Sequence, residues 1–254
     1  MMDLDLSTVL LQWAAGGLLG LWVTDRHRLV GVGYGWLLRG VFAALALAGV
    51  LVGLDSSGAA AQVRSIAGLL TVVVSLLAVV ISVRWRKTPA RIPPGLDFLA
   101  ALTGFVAVFA AAGVLGGPVV LTLTRLGVGA IFLGFITDAM LLGHWYLVQP
   151  GLSRAPLREM IWLSIISWPI EVVLLLIPTG MVSLLNGSID DGYGGILGVT
   201  WVVCALTTVG LLAAALAALK EPYYSAVMAA TGLLYLAILT AFGTDVLARA
   251  LLAG

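Results

Sequence analysis

Asp138, His144 and Glu171 are ionisable groups set inside long apolar runs, and any chemistry this chain performs would begin there. A charged side chain at the centre of a bilayer costs about 2.5–3.5 kcal/mol on insertion scales, so such residues usually face a bundle interior or a wet cavity. Trp145, Tyr146, Ser167 and Trp168 stand close to them in sequence. Ser164, Ser167 and Glu171 follow at i, i+3, i+7 and make one polar stripe on a helix. Pro169 cannot donate to the Ile165 carbonyl, so that helix is expected to bend and leave an acceptor free. Asp138 and Glu171 are expected at one depth, near the midplane, with a hydrated pocket between their two helices. Of two carboxylates in low dielectric, at least one is expected to keep a proton at neutral pH.

These residue types admit three readings. In a redox subunit, His144, Tyr146 and a carboxylate hydrogen-bond a quinone, and Trp145, Trp162 and Trp168 wall a flat slot for its ring. A variant of this reading makes His27 and His144 the axial ligands of a b-type haem. Against it, His27 lies in the charged run Asp25-Arg26-His27-Arg28. In a proton- or cation-conducting transporter or channel subunit, His144, Asp138 and Glu171 form a relay. In a scaffold or assembly subunit, the same groups only tie helices together. No catalytic or metal-ligating motif is present: there is no H-E-x-x-H, no G-x-S-x-G and no phosphate-binding glycine loop. Any catalysis is therefore expected to need protein partners, with the chain as at most a subunit of an oxidoreductase complex.

The elements that must position these groups follow from composition. Hydrophobic residues make up 61% of the chain and charged residues 10%, with a mean hydropathy of +1.14. Soluble domains carry about 25% charge, so this chain cannot cover a water-soluble globule. The net charge of +1 gives nucleic acid nothing to bind. A single cysteine, Cys204, rules out an intrachain disulfide and reads as a packing residue.

Spanning helices need about 20 apolar residues. Eight windows qualify: Thr8–Val23, Trp36–Leu54, Ser65–Val83, Phe98–Leu115, Val119–Val148, Met160–Pro178, Gly195–Leu219 and Tyr223–Leu247. The expected fold is an all-α integral membrane bundle of about eight transmembrane helices. It forms one transmembrane domain over 1–254, with a division into four-helix halves at 1–116 and 117–254. The helix count looks like that of the quinone-reactive NrfD/PsrC type of membrane subunit, an analogy of number without a shared motif.

Arginine and lysine concentrate in the odd-numbered loops (Arg26, Arg28, Arg39; Arg84, Arg86, Lys87, Arg91; Arg154, Arg158; Lys220). Those loops are expected in the cytoplasm, with both termini outside, in a multi-pass protein of the inner membrane. Arg39 is expected to serve this orientation and nothing more. Arg125 is expected to snorkel to headgroups, and Asp245 with Arg249 to form an i,i+4 pair.

Overall fold

The computed structural model describes residues 5–84, 95–115, 118–176, 180–188, 190 and 192–253. The Arg86–Arg91 charges, the 116/117 division and Pro178 lie outside them. Among the described residues every regular element is a helix. They run α1 Leu6–Asp25, α2 Val32–Val52, α3 Ala59–Arg84, α4 Gly95–Leu115, α5 Val119–Trp145, α6 Ala155–Leu176, α7 Met181–Leu185, α8 Ile196–Ala218 and α9 Tyr224–Ala253. Eight of them, all but the five-residue α7, are long and apolar enough to cross a membrane. The chain is a multi-pass helical membrane protein, and its surroundings are a lipid bilayer.

Side-chain size decides which face of a helix turns inward. On α4, Ala100, Ala101, Gly104, Ala107 and Ala111 are buried, while Phe98, Leu99, Leu102, Val106 and Phe109 are exposed. On α3, Ala67, Gly68, Thr71, Ser75 and Ala78 are buried, and Ile66, Leu69, Val73, Leu77 and Val80 face out. Lipid tails are as apolar as leucine, so large side chains gain nothing by hiding from them. Small residues inside let the backbones approach and gain van der Waals contact.

The helices close two rings. In the first, α1 packs on α2 and α4, and α3 on α2 and α4. In the second, α5 packs on α6 and α9, and α8 on α6 and α9. One contact recurs at the same spacing in both: Thr71 Oγ1 donates to Thr103 Oγ1 at 3.0 Å across α3–α4, and Thr208 Oγ1 to Thr240 Oγ1 at 2.7 Å across α8–α9, each pair 32 residues apart.

The opening helix of each ring, α1 and α5, forms the seam between them. The two run in the same direction, since Gly16 meets Gly134 and Gly20 meets Asp138. Their backbones touch. A Cβ on Gly16 would lie 1.7 Å from the Ala130 carbonyl oxygen, and one on Gly134 would lie 2.0 Å from the Gly16 carbonyl carbon. Gly16-x-x-x-Gly20 thus faces Ala130-x-x-x-Gly134, the small-residue spacing that brings membrane helices together.

Candidate functional site

Two buried polar clusters lie on the seam, at different depths. Asp138 belongs to one of them and is fully buried. Its Oδ2 accepts a short hydrogen bond from Thr24 Oγ1 of α1, and its Oδ1 accepts from the Tyr34 hydroxyl of α2 at 2.6 Å. Both donors come from the other ring. Gly20 leaves the space for this carboxyl, since a Cβ there would sit 2.9 Å from Asp138 Cβ. Beyond Thr24, Asp25 contacts Arg39 Nη2 at 3.3 Å. Arg39 in turn holds Asp97 through Nε and Nη2, both at 2.7 Å. Arg39 was expected only to orient the chain. It is 1% exposed, its guanidinium fitted against Gly35, where a Cβ would come within 2.5 Å of Nη1.

Glu171 belongs to the other cluster. Its Oε1, Gln12 Nε2 and Arg249 Nη2 all come within 3.5 Å of the point where Gly129 would carry a Cβ. Asp138 lies nine residues further along α5 than Gly129, which is about 13 Å at 1.5 Å per residue. The two carboxylates are therefore not at one depth and do not share a pocket between α5 and α6. Asp138 turns to α1 and α2; Glu171 turns to α1, α5 and α9. The expected i,i+4 pair forms, with Arg249 contacting both Asp245 oxygens at 3.0 Å, and both residues are 1% exposed. Arg125 does not snorkel: it is buried, and its Nε donates to the Leu174 carbonyl at 2.8 Å. That carbonyl is in the last turn of α6, where backbone acceptors lack an intrahelical donor.

Glycine accommodates each of these cations. Arg39 lies against Gly35, Arg64 against Gly53, Arg125 against Gly180 and Arg249 against Gly129. Arg64 is also paired, holding Asp5 at 2.9 Å beside the N-cap of α1.

The other candidates disperse. Ser164 and Ser167 are buried with Glu171, but their hydroxyls bond carbonyls of their own helix, at Met160 and Leu163, both 2.9 Å. This back-bonding is the usual fate of serine within a helix. α6 continues through Pro169 as one helix. Trp168 Nε1 donates to the Ala205 carbonyl at 3.0 Å and ties α6 to α8. Trp145 lies against Tyr34, with ring centroids 5.6 Å apart, and bonds Gln149, which also accepts from Gly31 N. Tyr146 donates to the Ser153 carbonyl at 2.6 Å and fastens the α5–α6 turn. Trp162 is exposed.

His144 is exposed, with Nδ1 3.3 Å from the Tyr235 hydroxyl of α9. His27 is exposed at the end of α1, where it and Arg26 both meet Glu159 of α6. The two imidazoles thus have separate partners, and the tryptophans do not line one slot.

Gln12, Thr24, Tyr34 and Asp97 complete these clusters, and sequence reasoning passed over them. Gln12 had a signal, as a lone amide in the apolar run of α1. Thr24 and Tyr34 had none, because hydroxyls are common in membrane helices.

The chain matches no protein-family model, no curated protein and no solved structure.

Proposed function

We propose that this chain handles protons in the membrane, as a proton-conducting or proton-coupled transporter or channel subunit. The observation that carries the reading is Asp138: a fully buried carboxyl on the seam, held by two hydroxyl donors from the opposite ring. A carboxyl among exchangeable hydroxyls can take up and release a proton without rearranging the bundle, and membrane carboxylates commonly serve such paths. Asp138 and the Glu171 cluster then act as two stations about 13 Å apart along α5. On the orientation expected from the positive-inside rule, with both termini outside, Asp138 would be the station nearer the cytoplasm and Glu171 the one nearer the outside.

The redox reading has weaker support, because His144, Trp145, Tyr146 and Trp168 engage separate partners rather than one flat slot. Protein partners fit the reading, since the described loops are short.

Proton flux into liposomes reconstituted with the purified chain tests it. Asp138→Asn keeps the shape and one of the two donated hydrogen bonds, the second hydroxyl having to turn and accept from the new NH2, and it holds no exchangeable acid. It is expected to bring the flux down to that of protein-free liposomes. Tyr34→Phe removes one of the two donors and is expected to leave a reduced flux. Undiminished flux in Asp138→Asn would take Asp138 off the proton path, and no flux from the unaltered chain would leave the carboxylates as helix ties, the scaffold reading.

A further inference from the structure

Two buried oxygens in the Glu171 cluster find no hydrogen-bond donor among the described residues: Glu171 Oε2 and Gln12 Oε1. Gln12 is 0% and Glu171 1% exposed, so bulk water reaches neither. A buried polar atom left unpaired costs about 1–3 kcal/mol, more when charged. Gln12 cannot remedy this by turning its amide, because Nε2 is already fixed on the Leu126 carbonyl at 2.8 Å. An ionised carboxylate only accepts hydrogen bonds, and so does an amide oxygen. Two acceptors cannot satisfy each other, and both belong to side chains that meet at Gly129. One proton changes this, since a protonated carboxyl becomes a donor.

The charged groups around Glu171 can be named helix by helix. From α5 comes Arg125, and from α9 come Asp245 and Arg249. From α1 comes the neutral Gln12. The α7 and α8 sequences contain no charged residue. Asp245 is occupied by both guanidinium contacts of Arg249, and Arg125 reaches the Leu174 carbonyl. Asp245 thus has its counter-charge, whereas Glu171 has that second acid within hydrogen-bond reach and the orphan amide of Gln12 in the same cluster, so Asp245 is the competing acceptor that Gln12→Leu tells apart.

We infer that Gln12 and Glu171 form a proton-binding site between α1 and α6, in which the protonated Glu171 carboxyl donates to Gln12 Oε1. Its use as a station on a proton path rests on the reading above; the site itself does not. No bond other than O–H and its hydrogen bond is made or broken. The proton comes from water and returns to it.

Infrared spectroscopy of the whole protein in lipid at neutral pH tests the site through the C=O stretch of a protonated carboxyl. The chain has three glutamates, Glu159, Glu171 and Glu221, and Glu171 alone among them is buried. Carbon-13 glutamate therefore separates Glu171 from the aspartates without any substitution. The expected result is a protonated-carboxyl band that shifts to lower frequency with labelled glutamate. Gln12→Leu, which removes the acceptor, is expected to move it to higher frequency, and Glu171→Gln to abolish it. A spectrum with no glutamate-sensitive band, or a band that Gln12→Leu leaves in place, would overturn the inference. The band is independent of transport. Band without flux keeps this site and defeats the transport reading; flux without the band does the reverse.

Discussion

Asp97→Ala is expected to destabilise the protein by about 3–5 kcal/mol, the cost of removing one partner from a buried ion pair. Arg39 and Asp97 side chains are 2% and 1% exposed, and the pair is bidentate at 2.7 Å. Arg39 is seven residues into α2, about 10 Å from its first residue, so without Asp97 its charge is left among helices rather than in water. Asp25 remains at 3.3 Å, but its own side chain is 27% exposed and it meets Arg39 through Nη2 alone, where Asp97 holds both Nε and Nη2. Removing both charges together has a different consequence. Arg39→Leu with Asp97→Leu takes away the desolvation cost along with the attraction, and such replacements are often neutral. The double variant should therefore recover most of the loss. Unfolding by sodium dodecyl sulfate in mixed micelles, followed by circular dichroism, measures both. A single-variant loss below about 1 kcal/mol would mean the pair is solvated and contributes as a surface bridge does.

Gly16→Leu is expected to cost about 3 kcal/mol, the upper part of the range for overpacking. The obstacle at Gly16 is backbone: the Ala130 carbonyl oxygen would stand 1.7 Å from the new Cβ, and no rotamer moves it. The α1–α5 seam must open to admit the side chain, taking Trp13 away from Thr137 and Gln12 from Leu126. Gly40 and Gly210 supply the control. Each lies in a helix, yet a Cβ there would meet nothing within 4 Å. Gly40→Leu and Gly210→Leu should leave stability unchanged or raise it, because leucine favours helix over glycine. The same detergent titration distinguishes them. Equal effects at Gly16 and Gly40 would show that α1 and α5 do not meet at this seam.

The eight spans were legible in the sequence because membrane crossing imposes a length and an apolarity that no loop meets. Their ends were less so. α6 begins at Ala155 rather than Met160, since Arg158 and Glu159 continue the helix beyond the apolar window. α7, at five residues, is too short to give a periodic signal. Asp138 and Glu171 were legible as buried groups because charge among apolar residues is conspicuous. Their partners were not. Asp138 bonds residues 114 and 104 positions away, and those contacts follow from the parallel pairing of α1 with α5, which sequence spacing does not encode. The depth of Glu171 was misplaced because the window that held it was set too far toward Pro178. The arginines were misjudged for a different reason. Orientation statistics describe loops, whereas Arg39 and Arg125 each found a buried acceptor and a glycine to lie against.

The most direct measurement is proton entry into sealed liposomes that contain only the purified chain, driven by a potassium diffusion potential and reported by a trapped pH dye. The predicted result is entry well above that of protein-free liposomes, lost already in Asp138→Asn and not restored when Glu171→Gln is added. Entry indistinguishable from protein-free liposomes would contradict the assignment of these carboxyls to a proton path.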